Sequence, residues 1–362
     1  MTSHELTLEQ ARRIVVRAAL LDADRPGDVV EVAEQIGQIK IDPTAVIAPC
    51  EHTVLWSRIG WSYEPGQLKK AVEQDRLLFE FDGAFRPVSL LPAIRAGMRD
   101  PAVRASAIEW LAANDGFRRE VLARLRAEGP MTASEIPDTA QVSKAPDGWY
   151  GANQVPIMLD LLSRHGEVGI VGRVGRNRIW DVAERAFPQD LPELEPSEAT
   201  AELERRCLQA EGLARPHRWW SGVGKDAGEA ARVEGTSMRF RVDPDALRAL
   251  DEPDPGGRVA FLNPYDRLLF DRRRLVELFG FTFVLEQFKP KPQRVYGYFA
   301  HPILFGDRFI GMLDAEHDRE REVLRVNTIH EFDEWGPDEH ELVRLELGEL
   351  ADWLGVPVTG LD

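Results

Sequence analysis

The sequence predicts an α+β protein, with three tandem winged-helix (helix-turn-helix) units followed by a C-terminal β-barrel-like domain. Two observations predict this fold class. A succession of short helices and then strands recurs up to residue 255, and β-rich runs follow the turn-forming cluster Asp251–Gly257. A chain of 362 residues also exceeds what one hydrophobic core usually serves. We therefore expect domains at residues 1–98, 99–192, 193–255 and 256–362.

The first unit contains a short strand between helices. Its predicted helices are Thr7–Leu21, Val29–Ile36, Ala45–Ile59 and Pro65–Gln74. The strand is Gln38–Asp42, and an extended segment, Leu77–Phe81, closes the unit. Because successive side chains of a strand point to opposite faces, Lys40 and Asp42 should share one face and Ile41 should enter the core.

The same pattern recurs most clearly in the second unit. Its predicted helices are Gly116–Glu128, Met131–Ile136 and Gln154–His165, and Thr132 and Glu135 have the spacing of a capping box. A strand-turn-strand wing is predicted for Gly169–Trp180.

The third unit and the C-terminal domain complete the expected architecture. The third unit has a helix at Ser197–Ala214 and a strand at Met238–Val242. The C-terminal domain should contain strands at Phe281–Phe288, Val295–Phe299 and Arg308–Leu313, and a final helix at Asp338–Trp353.

Composition excludes several classes of protein. The chain is 43% hydrophobic, and it contains neither an apolar run near the ~18 residues of a membrane span nor a signal peptide, so we expect a cytoplasmic location and no membrane partner. Cys50 and Cys207 are far apart, which predicts neither a disulfide framework nor a zinc site. We expect no metal or other cofactor. The net charge of −16 argues against tight non-specific binding to nucleic acid unless the cations are concentrated locally.

Three runs resemble a known family. They are QIKIDPTAVIAPCEHTVLWSRIG (Gln38–Gly60), LNPYDRLLFDRRRLVELFGF (Leu262–Phe281) and PQRVYGYFAHPILFGDRFIGMLDAEHDR (Pro292–Arg319). Together they resemble the winged-helix DNA glycosylases of the AlkZ and YcaQ type, which excise alkylated or crosslinked purines. The resemblance implies a DNA repair enzyme that hydrolyses the N-glycosidic bond of a damaged purine in double-stranded DNA, and we expect it to act as a monomer.

The resemblance also implies the catalytic residues. The family's strand carries Gln, an aliphatic residue and then Asp or Gln, which position water and stabilise the sugar cation. Here Asp42 matches, whereas Lys40 replaces the Gln. Two functional interpretations stay open: an uncharged Lys40 amine attacks the sugar and forms a Schiff base, or Asp42 alone carries a hydrolysis while Lys40 contacts phosphate. A third interpretation is structural, with Lys40 and Asp42 paired on a solvated face.

The candidate DNA-binding residues lie in three places. The wing offers Arg173, Arg176, Asn177 and Arg178, and alternation should place Arg176 and Arg178 on one face. The loop FKPKPQR offers Lys289, Lys291 and Arg294, with no carboxylate close in sequence, and the run Leu55–Gly60 offers Arg58. The aromatic pairs Trp149-Tyr150 and Trp219-Trp220 are candidates for stacking on bases.

Departures from the family pattern keep two other functions open. The segment Phe79–Phe85 lacks the family's usual His, and Glu316 occupies the place of a usual Lys. The alternatives are a catalytically inactive winged-helix DNA-binding protein, and a small-molecule or partner-binding descendant without DNA affinity.

Overall fold

The structure, a computed structural model, describes residues 3–99, 107–144, 153–217 and 222–361. The helices span Leu8–Ala18 (α1), Val29–Ile36 (α2), Cys50–Ile59 (α3), Pro65–Glu73 (α4), Leu91–Met98 (α5), Ile108–Ala113 (α6), Asp115–Glu128 (α7), Val155–Arg164 (α8), Ala183–Ala186 (α9), Pro196–Glu211 (α10), Pro244–Arg248 (α11), Arg272–Phe279 (α12) and Pro337–Leu354 (α13).

The strands span His4–Leu6 (β1), Ile39–Lys40 (β2), Leu78–Phe81 (β3), Ala84–Pro87 (β4), Met131–Thr132 (β5), Val168–Val174 (β6), Asn177–Val182 (β7), Leu213–Ala214 (β8), Glu229–Val233 (β9), Arg239–Val242 (β10), Val259–Phe261 (β11), His301–Phe305 (β12), Arg308–Asp318 (β13), Val323–Glu331 (β14) and Val358–Thr359 (β15). The predicted α+β class is confirmed. The number of winged-helix units stays an interpretation.

The chain forms two compact units, one made of Met1–Gln67 with Glu204–Asp362, and the other of Leu68–Leu203. In the unit Leu68–Leu203, helices α7 and α8 pack apolar side chains against the hairpin β6–β7. The hairpin confirms the predicted strand-turn-strand wing, and Gly175 has a φ of +58° in its turn. A glycine suits this left-handed conformation because it has no Cβ to clash.

The hairpin β3–β4 belongs to the same unit as this wing. Strands of the unit follow the order β4, β3, β6, β7, β5, and Glu80 of β3 lies opposite Ile170 of β6. The sequence predicts that the extended segment Leu77–Phe81 closes the first winged helix, whereas the structure pairs β3 with β6 of the second wing in one sheet.

The other unit contains two sheets and the core between them. Their strand orders are β1-β9-β10-β8 and β11-β12-β13-β14-β15. The core includes Ile14 and Val15 of α1, Phe240 of β10, Leu275 of α12 and Leu304 of β12. Helix α1 begins with a capping box between Thr7 and Gln10, which satisfies amide groups that a helix start otherwise leaves unpaired.

Two predicted strands of the C-terminal domain are wrong. Residues 281–288 and 295–299 have no strand structure, whereas the predicted strand at Arg308–Leu313 lies within β13 and the predicted final helix is α13. Phe281 and Phe283 are buried, so the alternating pattern of apolar residues predicts correctly that these side chains face the core. A strand also needs a neighbouring ladder, and here the Glu286 carboxylate accepts the amides of Val295 and Tyr296 instead.

None of the helices in the described ranges is long and apolar enough to cross a membrane.

Candidate functional site

Asp42 lies just beyond a strand rather than on it. Strand β2 ends at Lys40, and the Asp42 carboxylate accepts a hydrogen bond from the Thr44 amide at 2.9 Å. This local Asx turn redirects the chain at Pro43 and fixes the carboxylate. Lys40, Ile41 and Asp42 are all half-buried, whereas Ile39 is fully buried. The prediction that Ile41 enters the core is therefore wrong, because the regular alternation stops where the strand stops.

The loop that carries Asp42 is held by the end of strand β13. The amide of His317 donates to the carbonyl of Val46 at 2.9 Å, and the Arg319 guanidinium donates to the carbonyl of Ala45 at 3.3 Å. Helix α3 starts at Cys50 and not at Ala45 as predicted, because Pro49 disfavours helical backbone at the residue before it. Asp42 thus sits on an ordered loop, fixed at Thr44 and again at Ala45 and Val46.

Lys40 and Asp42 both act electrostatically on the thiol of Cys50. Its thiol is fully buried at the start of α3 and lies 3.4 Å from the amide oxygen of Asn263. Burial raises the pKa of this thiol well above its usual value, the charges of Glu51, Asp266 and Asp42 raise it further, and Lys40 opposes them. The thiol therefore stays protonated, which makes it a poor nucleophile, and Lys40 and Asp42 both lie close enough to affect it.

A tyrosine completes the group around Asp42. The Gln287 amide nitrogen donates to the Tyr265 hydroxyl at 2.6 Å. Burial raises the pKa of Tyr265, the bond from Gln287 opposes this, and the charge of Asp42 raises the pKa again. The phenol therefore stays protonated and keeps a hydrogen that it can donate. Sequence reasoning missed Tyr265 and Gln287, although Tyr265 lies in a run that carries the family resemblance.

The assembled site combines a carboxylate, an amine and a phenol, all half-buried. A carboxylate fixed by an amide can orient a water molecule and take its proton. A phenol can donate to a developing negative charge. Within the described residues, no three His, Cys, Asp or Glu side chains are grouped so that they could hold a metal ion.

Arg58 does not belong to a DNA-binding surface. Its side chain is fully buried and binds Asp266 through two nitrogens, at 2.6 and 3.0 Å. It also donates to the carbonyl oxygens of Ala19 and Val54. The prediction that Arg58 contacts DNA is wrong, because this guanidinium joins α3 to the segment that follows β11.

In the wing, two of the arginines that the sequence offers for phosphate binding are paired with a carboxylate. Arg173 and Arg178 are cross-strand neighbours, and both bind the buried Glu80, at 2.6 and 2.7 Å. Strand alternation does not relate Arg176 to Arg178, since Arg176 lies in the turn and Arg178 pairs with Arg173 across the strands. Arg176 and Asn177 are exposed at the tip. The tip is therefore the part of the wing best placed to reach a phosphate.

The loop 287–298 carries the other predicted cations. Lys289 pairs with Glu286 at 2.8 Å, so the expectation that no carboxylate lies close is wrong. Lys291 is exposed, and the Arg294 guanidinium lies over the ring of Tyr298, 5.0 Å from its centroid. The predicted stacking residues Trp149, Tyr150, Trp219 and Trp220 lie outside the described residues.

Comparison with known proteins identifies the family and agrees with the fold. The family model described as "DNA glycosylase AlkZ-like" matches residues 33–353, a range that includes Lys40, Asp42, Tyr265 and Gln287. The fold is similar to that of the Streptomyces sahachiroi DNA glycosylase AlkZ, with a TM-score of 0.66 over 98% of this chain and 99% of that chain, at 16% sequence identity. The family match covers most of the sequence, and the chain belongs to the AlkZ-like DNA glycosylase family.

Proposed function

We propose that this protein is a DNA repair glycosylase that hydrolyses the N-glycosidic bond of alkylated or crosslinked purines in double-stranded DNA. The observation that carries the proposal is the position of Asp42, half-buried on an ordered loop beside Lys40 and Tyr265. Family membership supports the reaction class.

The chemistry fits a cationic purine adduct. A purine alkylated at N7 or N3 is already an activated leaving group, so the site needs little acid catalysis. As the bond to the base breaks, positive charge develops on the sugar, and the Asp42 carboxylate stabilises it electrostatically. The same carboxylate orients a water molecule and accepts its proton as the oxygen attacks C1′.

Replacement of Asp42 by Asn tests the proposal. The amide keeps an oxygen for the Thr44 bond but can neither take a proton nor stabilise a cation. We expect single-turnover release of 7-methylguanine from duplex DNA to fall by about 100-fold or more, with unchanged binding to a duplex that contains an abasic-site analogue.

Asp28→Asn is the matched control. Asp28 caps helix α2, and Asn caps helices equally well, so this variant should keep wild-type activity. Full activity of Asp42→Asn would remove Asp42 from the mechanism.

A second candidate function is DNA binding without catalysis. The observation that favours it is Lys40 in place of the family's Gln, because an ammonium opposes the positive charge that develops on the sugar. In that case wild-type protein should bind duplex DNA and release no base from any alkylated duplex.

A further inference from the structure

Phe288 is the most exposed large apolar side chain in the described part of the chain. Its exposed fraction is 86%, compared with 78% for Trp61 and 65% for Val295. Exposing a whole aromatic ring to water forgoes about 2 kcal/mol of burial. A residue with this exposure is suited to binding a partner that covers the ring.

The loop that presents Phe288 is fixed at its base. Glu286, which is buried, accepts the amides of Val295 and Tyr296, each at 2.8 Å, and the ammonium of Lys289 at 2.8 Å. Pro290 and Pro292 restrict the backbone between these points. The ring is therefore held out by an ordered loop, and less conformational entropy is lost when it binds.

The surroundings of Phe288 indicate the chemistry of the partner. Lys289 is paired with Glu286, whereas Lys291 is exposed and the Arg294 guanidinium lies over the ring of Tyr298, which is 45% exposed. An exposed apolar side chain near cations suits a DNA duplex, because the cations can bind its phosphates and the apolar side chain can enter its base stack.

The position of Phe288 connects this side chain to the candidate site. The preceding residue, Gln287, donates to the Tyr265 hydroxyl, and Tyr265 responds to the charge of Asp42. Phe288 thus directly follows a residue whose side chain contacts the candidate site.

We propose that Phe288 inserts into the base stack beside the damaged nucleotide, while Lys291 and Arg294 contact the flanking phosphates. Apolar wedges of this kind unstack a base step and hold the duplex open. The inference rests on the proposed glycosylase function for the location of the lesion, and adds a positioning residue to it.

The test uses two readouts on the full chain. The first is the fluorescence of 2-aminopurine placed beside an abasic-site analogue in a duplex, which rises when the base is unstacked. The second is single-turnover release of 7-methylguanine from duplex and from single-stranded DNA. The variants are Phe288→Ala, Phe288→Trp as a replacement wedge, and Leu345→Ala as a control for removal of an exposed apolar side chain on α13.

We expect Phe288→Ala to abolish the fluorescence rise and to slow release from duplex DNA by roughly 10-fold to 100-fold. Release from single-stranded DNA should change little, because no duplex has to be opened. Phe288→Trp and Leu345→Ala should behave like wild type.

The two proposals fail in different ways. A fluorescence rise that depends on Phe288, without release of any base by wild type, supports the wedge and overturns the glycosylase. Equal fluorescence and equal duplex rates in wild type and Phe288→Ala overturn the wedge and leave the glycosylase intact. If wild type binds no duplex at all, both are wrong.

Discussion

At the scale of single residues, Lys40 is the main departure from the family pattern. It acts on the pKa of the Cys50 thiol in the opposite direction to Asp42, so the amine and the carboxylate lie in the same surroundings. An ammonium opposes the positive charge that develops on the sugar. An uncharged amine can instead attack C1′ as the base leaves, and opening of the sugar ring then gives a Schiff base.

The nucleophilic alternative for Lys40 makes a definite prediction. Borohydride should reduce the Schiff base and trap a covalent protein–DNA adduct, visible as a shifted band on a denaturing gel. Strand cleavage by β-elimination should accompany base release. Lys40→Gln should abolish both the adduct and the cleavage while Asp42 still supports simple hydrolysis. Base release by wild type without any trapped adduct would leave Asp42 as the sole catalyst.

The sequence predicts a site residue only where residues nearby in the chain determine its role. Asp42 stands out through the run around it, and its Asx turn involves Thr44, two residues away. Tyr265 and Gln287 join the site through folding that brings distant segments together, and although Tyr265 lies in a run that resembles the family, nothing in that run points to its contact with Gln287. Arg58 also lies in a run that matches the family, but its role is structural, because its side chain forms a buried ion pair with Asp266.

At the scale of elements, the ion pair between Arg58 and Asp266 holds helix α3 in place. Arg58 lies near the end of α3, and Asp266 is fully buried on the segment that also carries Tyr265. Since Cys50, at the start of the same helix, contacts Asn263, both ends of α3 are joined to this segment. The geometry between Asp42 and Tyr265 therefore depends on the helix.

Removal of the Arg58 charge should destabilise the unit that contains the site. In Arg58→Met the Asp266 carboxylate stays buried without its partner, and we expect the free energy of unfolding to fall by about 3–5 kcal/mol in urea titrations. Lys70→Met is the control, because the Lys70–Asp75 pair is exposed and should contribute about 0–1 kcal/mol. Similar losses for the two variants would contradict a special role for the buried pair.

The elements that sequence patterns predicted well are those with local signals. Helix α1 has its capping box, and the wing has a glycine turn between two β-branched runs. The aromatic alternation in residues 281–288 wrongly predicts a strand, because a strand also needs a second segment to pair with. The amides of Val295 and Tyr296 instead donate to the Glu286 carboxylate. The strand β1 was missed because it is three residues long and gains its order from β9.

At the scale of the whole molecule, affinity for DNA has to overcome a net charge of −16. The described cations at the wing and in the loop 287–298 are partly neutralised by Glu80 and Glu286. Arg176 and Lys291 are exposed at their respective tips. Binding should therefore use few phosphate contacts and depend on the damaged site for much of its strength.

A salt titration of duplex binding measures this directly. The logarithm of the binding constant should fall linearly with the logarithm of salt concentration, with a shallow slope that reflects few neutralised phosphates. Arg176→Ala should weaken binding to all sequences alike and reduce the slope by about 1. Arg248→Ala, which removes an exposed cation paired with Asp245, should change neither quantity. Binding without any salt dependence, or its absence at low salt, would favour a descendant of the family that recognises a small molecule or another protein, because phosphate neutralisation is unavoidable when a protein holds a duplex.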